Sequence, residues 1–308
     1  MTPERGPEGL RVGAITSFTT IDFPGKLAAV AFIQGCPWDC TYCQNPWLRP
    51  FKFDPQYEHE SWESLIALLS RRKGLLDGVV FSGGEPLSDP ALPAAIKAVK
   101  SQGFLVAVHT SGAYPAVLKE ILPDIDWVGL DIKAPLTDPA AFRNIIRVGA
   151  GEEKTLDSLD ILKASGVPFE CRTTCHPAFL SEEQLLGIGV SLAAKGVKSY
   201  ALQPFRVPPG FESESLYPNC PPDYPSPDLQ ARLRSLFPQF AVRRSFLRRE
   251  KRGRIPDWNP APFYSELQQT LIFTPELSRL WSDAYEAWSR QRASAQRTYR
   301  KRQSRSRE

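Results

Sequence analysis

Methionine is almost absent from this chain: one residue in 308, at the start. The core must therefore be filled by Leu, Val, Ile, Phe and Ala. No uninterrupted apolar run approaches the ~20 residues of a membrane-spanning helix, so no membrane association is expected. The opening Met1-Thr-Pro-Glu-Arg-Gly-Pro-Glu8 lacks an apolar h-region, which argues against a signal peptide. Cysteine is scarce too. There are six, three of them crowded together, a usage that suits a reducing cytoplasm better than a secreted disulfide scaffold.

What is present is ample for one large domain. The chain is 42% hydrophobic and 23% charged, enough to bury a full core with an appendage. The net charge of +4 is uneven: Ser289–Glu308 carries eight Lys/Arg and one acid, leaving the rest at −3. The body is not basic; the tail is. Such a tail is either a solvated terminus or a contact for an acidic partner or nucleic acid, and a nucleic-acid role would rest on it alone.

Residues 1–10 read as a disordered lead. Gly13–Lys26 holds two short apolar stretches joined at Pro24-Gly25, a hairpin-like approach to the apolar run Leu27–Ile33. From there buried strands alternate with amphipathic helices. Strands are expected at 27–33, 78–81, 105–109, 127–133, 168–175 and 199–205. Helices are expected at 60–71 with Ser61 as N-cap, 92–102, 116–122, 155–164 and 182–195. Six such alternations argue for parallel βα units with right-handed crossovers. The fold class is α/β, a partial (β/α)6 TIM-like barrel, with its polar and Gly-rich signatures at the C-terminal ends of strands, where barrel chemistry collects. Seven prolines between 206 and 227 mark a loop. A helix at 228–237 and a strand at 240–243 close a core domain spanning 11–244. Residues 245–308 form a basic C-terminal extension, helical from Glu276 to about Arg302 by its apolar spacing.

The stretch that organises the chain is Gly35-Cys36-Pro37-Trp38-Asp39-Cys40-Thr41-Tyr42-Cys43, directly after the 27–33 strand. Thiolates this close can converge on one metal centre, and soft sulfur selects zinc or an iron–sulfur cluster. A structural zinc site wants a fourth ligand nearby. The nearest histidine is His59 and the next cysteine is Cys171, so a cubane with one open iron fits better than zinc. Cys171 and Cys175 lie on one strand about 13 Å apart and read as buried thiols. Cys220 could join them only if the proline loop folds back.

The Cys-x3-Cys-x-aromatic-Cys pattern, with Tyr42 as its aromatic, resembles the cluster loop of the radical S-adenosylmethionine (SAM) superfamily. Other motifs follow in order. Ser82-Gly83-Gly84-Glu85-Pro86 resembles the motif that receives the ammonium of SAM, its glycines allowing close backbone approach to a ligand. Thr110-Ser111-Gly112 stands where relatives carry Thr-Asn-Gly, with His109 in place of an Asp. His109 reads as a strand-end histidine or a proton donor. Asp131-Ile132-Lys133 is similar to the Asp-x-Lys segment of glycyl-radical-enzyme activating proteins, where it lies beside the SAM carboxylate and ribose. Arg172 and Gln203 stand where relatives place an Arg at that carboxylate or ribose and a side chain near adenine.

With Ile21-Asp-Phe-Pro-Gly-Lys26, this series looks like the anaerobic ribonucleoside-triphosphate reductase activating protein family, its longer second type, over roughly 11–244. The resemblance implies one [4Fe–4S] cluster held by Cys36, Cys40 and Cys43. It implies SAM bound at the open iron and cleaved to a 5′-deoxyadenosyl radical. It also implies a glycyl radical enzyme such as anaerobic ribonucleotide reductase as partner, and an external electron donor such as flavodoxin or ferredoxin. A radical SAM reaction on another peptide or small molecule, or a cluster-bearing scaffold, are the alternatives.

Overall fold

The computed structural model describes residues 5–55, 58–207 and 216–244. The 245–308 extension, its expected helix and its basic run lie outside the described residues. Eight strands form one sheet in chain order: β1 (Val12–Thr19), β2 (Ala28–Ile33), β3 (Gly78–Gly83), β4 (Leu105–Thr110), β5 (Trp127–Asp131), β6 (Phe169–Cys175), β7 (Ser199–Pro204) and β8 (Gln239–Val242). β1 pairs antiparallel with β2 as the expected hairpin, and β2 to β8 are all parallel. Seven helices connect them: α1 (Trp62–Arg71), α2 (Leu92–Ser101), α3 (Pro115–Ile121), α4 (Pro139–Ile146), α5 (Gly151–Ser165), α6 (Glu182–Ala194) and α7 (Pro227–Leu236). This is a TIM-like α/β sheet left open, with β1 and β8 at its ends.

The parallel strands are apolar on both faces because each face has a cover. Ala29, Ala31, Ile33, Val79, Phe81, Val106, Val108, Val128 and Leu130 belong to the large core that includes the helices' buried faces. Their neighbours in sequence point the other way. Ala28, Val30, Val80, Ala107 and Trp127 make a second, smaller cluster that is closed by Phe23 from the β1–β2 connection. The Phe-Pro-Gly turn therefore tucks an aromatic ring beneath the inner face, 6.2 Å from Trp127. His109 ties this turn to β4, its Nε2 bonded to the Asp22 carbonyl at 2.8 Å. That is the strand-end role. Further round the sheet the inner face becomes charged, with Asp131, Glu170 and Arg172, and Arg243 pairs with Glu170.

Three local differences from the sequence expectation have simple causes. Pro7–Gly9 is a 3-10 turn and Leu10 is buried, because both serve as a lid on the α1 and α2 side of the core. β8 extends the parallel set to seven strands. Helix α4 was not anticipated. It is eight residues long, buries only Phe142, Ile145 and Ile146, and begins at an Asp138 cap whose side chain accepts from Ala141 N at 2.9 Å. The proline loop does fold back: Cys220 N donates to Phe205 O and its thiol to Cys175 O at 3.0 Å.

Candidate active site

The cysteine loop leaves β2 and is clasped from two sides. On one, Gly35 N donates to Leu48 O at 2.7 Å and Cys36 N to Arg49 O at 3.0 Å, while the Gln34 side chain donates to Trp47 O and Pro50 O. On the other, Asp39 N and Thr41 N donate to Ile146 O and Ile145 O at 3.0 and 2.9 Å, satisfying two carbonyls at the end of α4. Trp38 meets Phe142 edge to face at 5.9 Å. Arg49 and Arg147 flank Asp39 on the outer rim.

All six cysteines are free thiols. Burial pushes the Cys36 thiol up to about 12, with the Glu85 carboxylate adding to it, and Cys40 up to about 11 against the pull of Lys133 and Arg49. Burial raises Cys43 as well. Each of the three is thus a protonated thiol until a metal displaces the proton. They lie close enough to perturb one another's ionisation. Among the described residues, no three such side chains close around a single-ion position. That donor set, three soft sulfurs spread along one loop, fits a multi-iron centre taking one thiolate per iron.

The Gly83-Gly84 turn lies close against the end of β2 and the start of the cysteine loop. Gly83 has φ +121°, and a Cβ there would lie 2.3 Å from Ile33 N. At Gly84 it would lie 2.5 Å from the Gly35 carbonyl oxygen. Glu85 is fully buried, and its carboxylate is engaged by the chain itself. Oε1 accepts from Leu87 N and Thr110 Oγ1, and Oε2 accepts from Ser111 N at 2.8 Å and from the Ser111 hydroxyl. Burial outweighs these bonds and raises its pKa. Glu85 so joins the end of β3 to the end of β4. Pro86 opens a short buried 3-10 turn behind it. Thr110, the first residue of the Thr110-Ser111-Gly112 motif, is a member of this network.

Asp131, Lys133 and Arg172 form one ion group at the ends of β5 and β6. Arg172 Nε and Nη2 reach Asp131 Oδ1 at 2.9 and 2.7 Å, and Lys133 Nζ reaches Oδ2 at 2.8 Å. Burial disfavours the Asp131 charge, but the two cations hold its carboxyl well below the usual range. Burial likewise opposes the Lys133 charge, and Asp131 keeps it high. Gly129 makes room for this: a Cβ there would lie 2.9 Å from Arg172 Cζ. Two cations share one carboxylate, so the group carries an excess positive charge. Lys133 also sits 6.0 Å from the centre of the Tyr42 ring. Gln203 is half-buried on β7, in register with Thr174. The predicted residues thus fall into two bonded sets, Gly83/Gly84/Glu85/Ser111 and Asp131/Lys133/Arg172, on either side of the cysteine loop.

The radical SAM superfamily model matches residues 30–183, half of the chain. A protein of Methanocaldococcus jannaschii, provisionally described as a glycyl-radical enzyme activating enzyme, is 32% identical over 208 residues, covering 66% of this chain and 83% of its own. A pyruvate formate-lyase-activating enzyme of Clostridium pasteurianum is 31% identical over 189 residues, covering 56% and 72% respectively. The crystal structure of a radical SAM methyltransferase from Sphaerobacter thermophilus shares the fold, with a TM-score of 0.54 at 15% identity over 73% of this chain and 68% of that one.

Proposed function

This chain belongs to the radical SAM superfamily, and from that premise we propose that it generates a glycyl radical on a partner enzyme, anaerobic ribonucleotide reductase by the motif series. It is homologous to glycyl-radical enzyme activating enzymes, and membership of the superfamily implies a [4Fe–4S] cluster and SAM. The observation that carries the reading is the three-thiol loop set beside a half-buried, cation-rich Asp131–Lys133–Arg172 group. No helix among the described residues is long and apolar enough to cross a membrane. A cytoplasmic setting and flavodoxin or ferredoxin as electron donor are part of the proposal.

The cluster and SAM, when bound, supply reductive cleavage to a 5′-deoxyadenosyl radical that abstracts hydrogen. The chain's own residues position and shield. Cys36, Cys40 and Cys43 hold the irons as thiolates. Lys133 and Arg172 receive the carboxylate or ribose of SAM by charge-assisted bonds, and Asp131 fixes both cations in place. Gly83, Gly84 and Glu85 hold the β3 turn against the cysteine loop, and Pro86 and Ser111 brace it. Tyr42 and Gln203 border the nucleoside.

Anaerobic reconstitution with iron and sulfide, then dithionite and SAM, tests the chemistry by chromatography of 5′-deoxyadenosine. Wild type is expected to form it and Cys40→Ala to form none. Electron paramagnetic resonance with anaerobic ribonucleotide reductase and with pyruvate formate-lyase then reads the partner. A fully loaded wild type that yields no 5′-deoxyadenosine refutes the catalytic reading. Product without a glycyl radical on either enzyme moves the substrate to another peptide or small molecule.

A further inference from the structure

β5 ends at Asp131, and the residue that follows is pinned on both sides by consecutive residues of β6. Ile132 N donates to Arg172 O at 2.7 Å, and Ile132 O accepts the Thr173 hydroxyl at 2.9 Å. Thr173 Oγ1 in turn accepts the Tyr200 hydroxyl at 2.9 Å. Thr173 and Tyr200 are both 0% exposed. Burial raises the Tyr200 pKa, so the phenol stays a neutral donor. Its ring packs on Phe237 and on Phe240 of β8, 5.2 and 6.1 Å away between centroids. The chain of contacts therefore starts at β8 and ends between Asp131 and Lys133.

Stability alone does not call for these hydroxyls. Valine and phenylalanine fill the same spaces, and exchanging two bonded hydroxyls for apolar groups of like shape is nearly neutral in a core. What the hydroxyls hold is one carbonyl, at the point where it governs direction. Ile132 is buried in the large core, while Asp131 and Lys133 on either side of it bond to each other at 2.8 Å. Their side chains leave the backbone on the side opposite Ile132, as the two-residue period of an extended segment requires. A turn of the Ile132 peptide would swing the Lys133 ammonium away, whereas Asp131 would keep Arg172.

We propose that Thr173 and Tyr200 are positioning residues for Lys133: their hydroxyls fix the Ile132 carbonyl and so aim the ammonium at the carboxylate of SAM. The assignment rests on the radical SAM reading, which supplies that carboxylate. Both residues act through Lys133, not on the reacting bond.

Equilibrium dialysis of reconstituted protein without reductant is the measurement. The ligands are SAM and decarboxylated SAM, which keeps the adenosine, sulfonium and amino group and lacks the carboxylate. The variants are Thr173→Val, which keeps the shape and removes the hydroxyl, Thr173→Ser, which keeps the hydroxyl, and Tyr200→Phe, which removes only the outer bond. Thr173→Val is expected to weaken SAM binding about five- to tenfold at unchanged iron content, and to bind decarboxylated SAM as wild type does. Thr173→Ser should retain most of the SAM affinity, and Tyr200→Phe should show the same selective loss at smaller size. Should Thr173→Val not fold, Tyr200→Phe carries the same comparison of the two ligands. Equal SAM affinity of wild type and the folded variants overturns the proposal. So does an equal loss for both ligands, which would mark the hydroxyls as structural only. Loaded wild type that binds neither ligand refutes the radical SAM reading, and this assignment with it.

Discussion

Glu85 shows how far a motif residue's identity can be from its job. The sequence identifies the position, but only the fold shows that both carboxylate oxygens are taken by Leu87, Thr110 and Ser111. Glu85→Gln turns an acceptor-only group into one with an amide facing N–H donors, and should cost about 1–3 kcal/mol in denaturant unfolding. Gly84→Ala drives a methyl against the Gly35 carbonyl and should cost about 1–3 kcal/mol, with iron loading reduced because the displaced backbone belongs to the cysteine loop. His109 makes a prediction in pH. Burial, helped by Arg172 and opposed by Asp22 and Asp131, lowers its pKa from 6.5 to about 4. The folded state thus resists protonation, and stability fully present above pH 6.5 is lost as pH falls toward about 4. His109→Gln, which keeps a donor for the Asp22 carbonyl, should flatten the wild-type slope in urea unfolding across that window. Apart from Leu87, two residues from Glu85, these partners lie outside the reach of sequence spacing, since the bonds join segments 25 or more residues apart.

At the scale of elements, the α1 cap at Ser61 and the starts of α2 and α6 were legible to within a residue because their apolar spacing runs for ten residues or more. Helix α4 was not, because eight residues hold little more than two turns of pattern. Its one clear signal was Asp138-Pro139, a cap followed by proline at the first helical position. Yet α4 touches the cysteine loop directly, through two backbone bonds and the Trp38–Phe142 contact. Phe142→Ala should destabilise the fold by about 3–5 kcal/mol and lower the iron retained after desalting. A variant equally destabilised at a site remote from the loop, such as Leu233→Ala in α7, should keep its iron.

For the whole molecule, the parallel α/β plan could be read from the alternation of elements alone, since buried parallel strands leave continuous apolar runs between helices. What escaped was the inner face. Phe23 lies 104 positions from Trp127 along the chain, so no periodicity links them, and only the curved sheet brings them together. Phe23→Ala would open that cluster, and a thermal midpoint lowered by several degrees is the expected readout. The described body ends at Arg244 with β8 already paired. A chain of residues 1–244 is therefore expected to cleave SAM with dithionite at near wild-type rate, whereas loss of that activity would assign a catalytic part to 245–308.

The two bonds from Asp39 and Thr41 to the end of α4 have one more consequence, by thermodynamic reciprocity. Whatever free energy a bound centre contributes to ordering residues 36–43 is felt equally by the helix those residues cap. The helix becomes a gauge of occupancy, and the amide protons of Asp39 and Thr41 are its pointers: slow to exchange when the thiolates are held, faster when they are not.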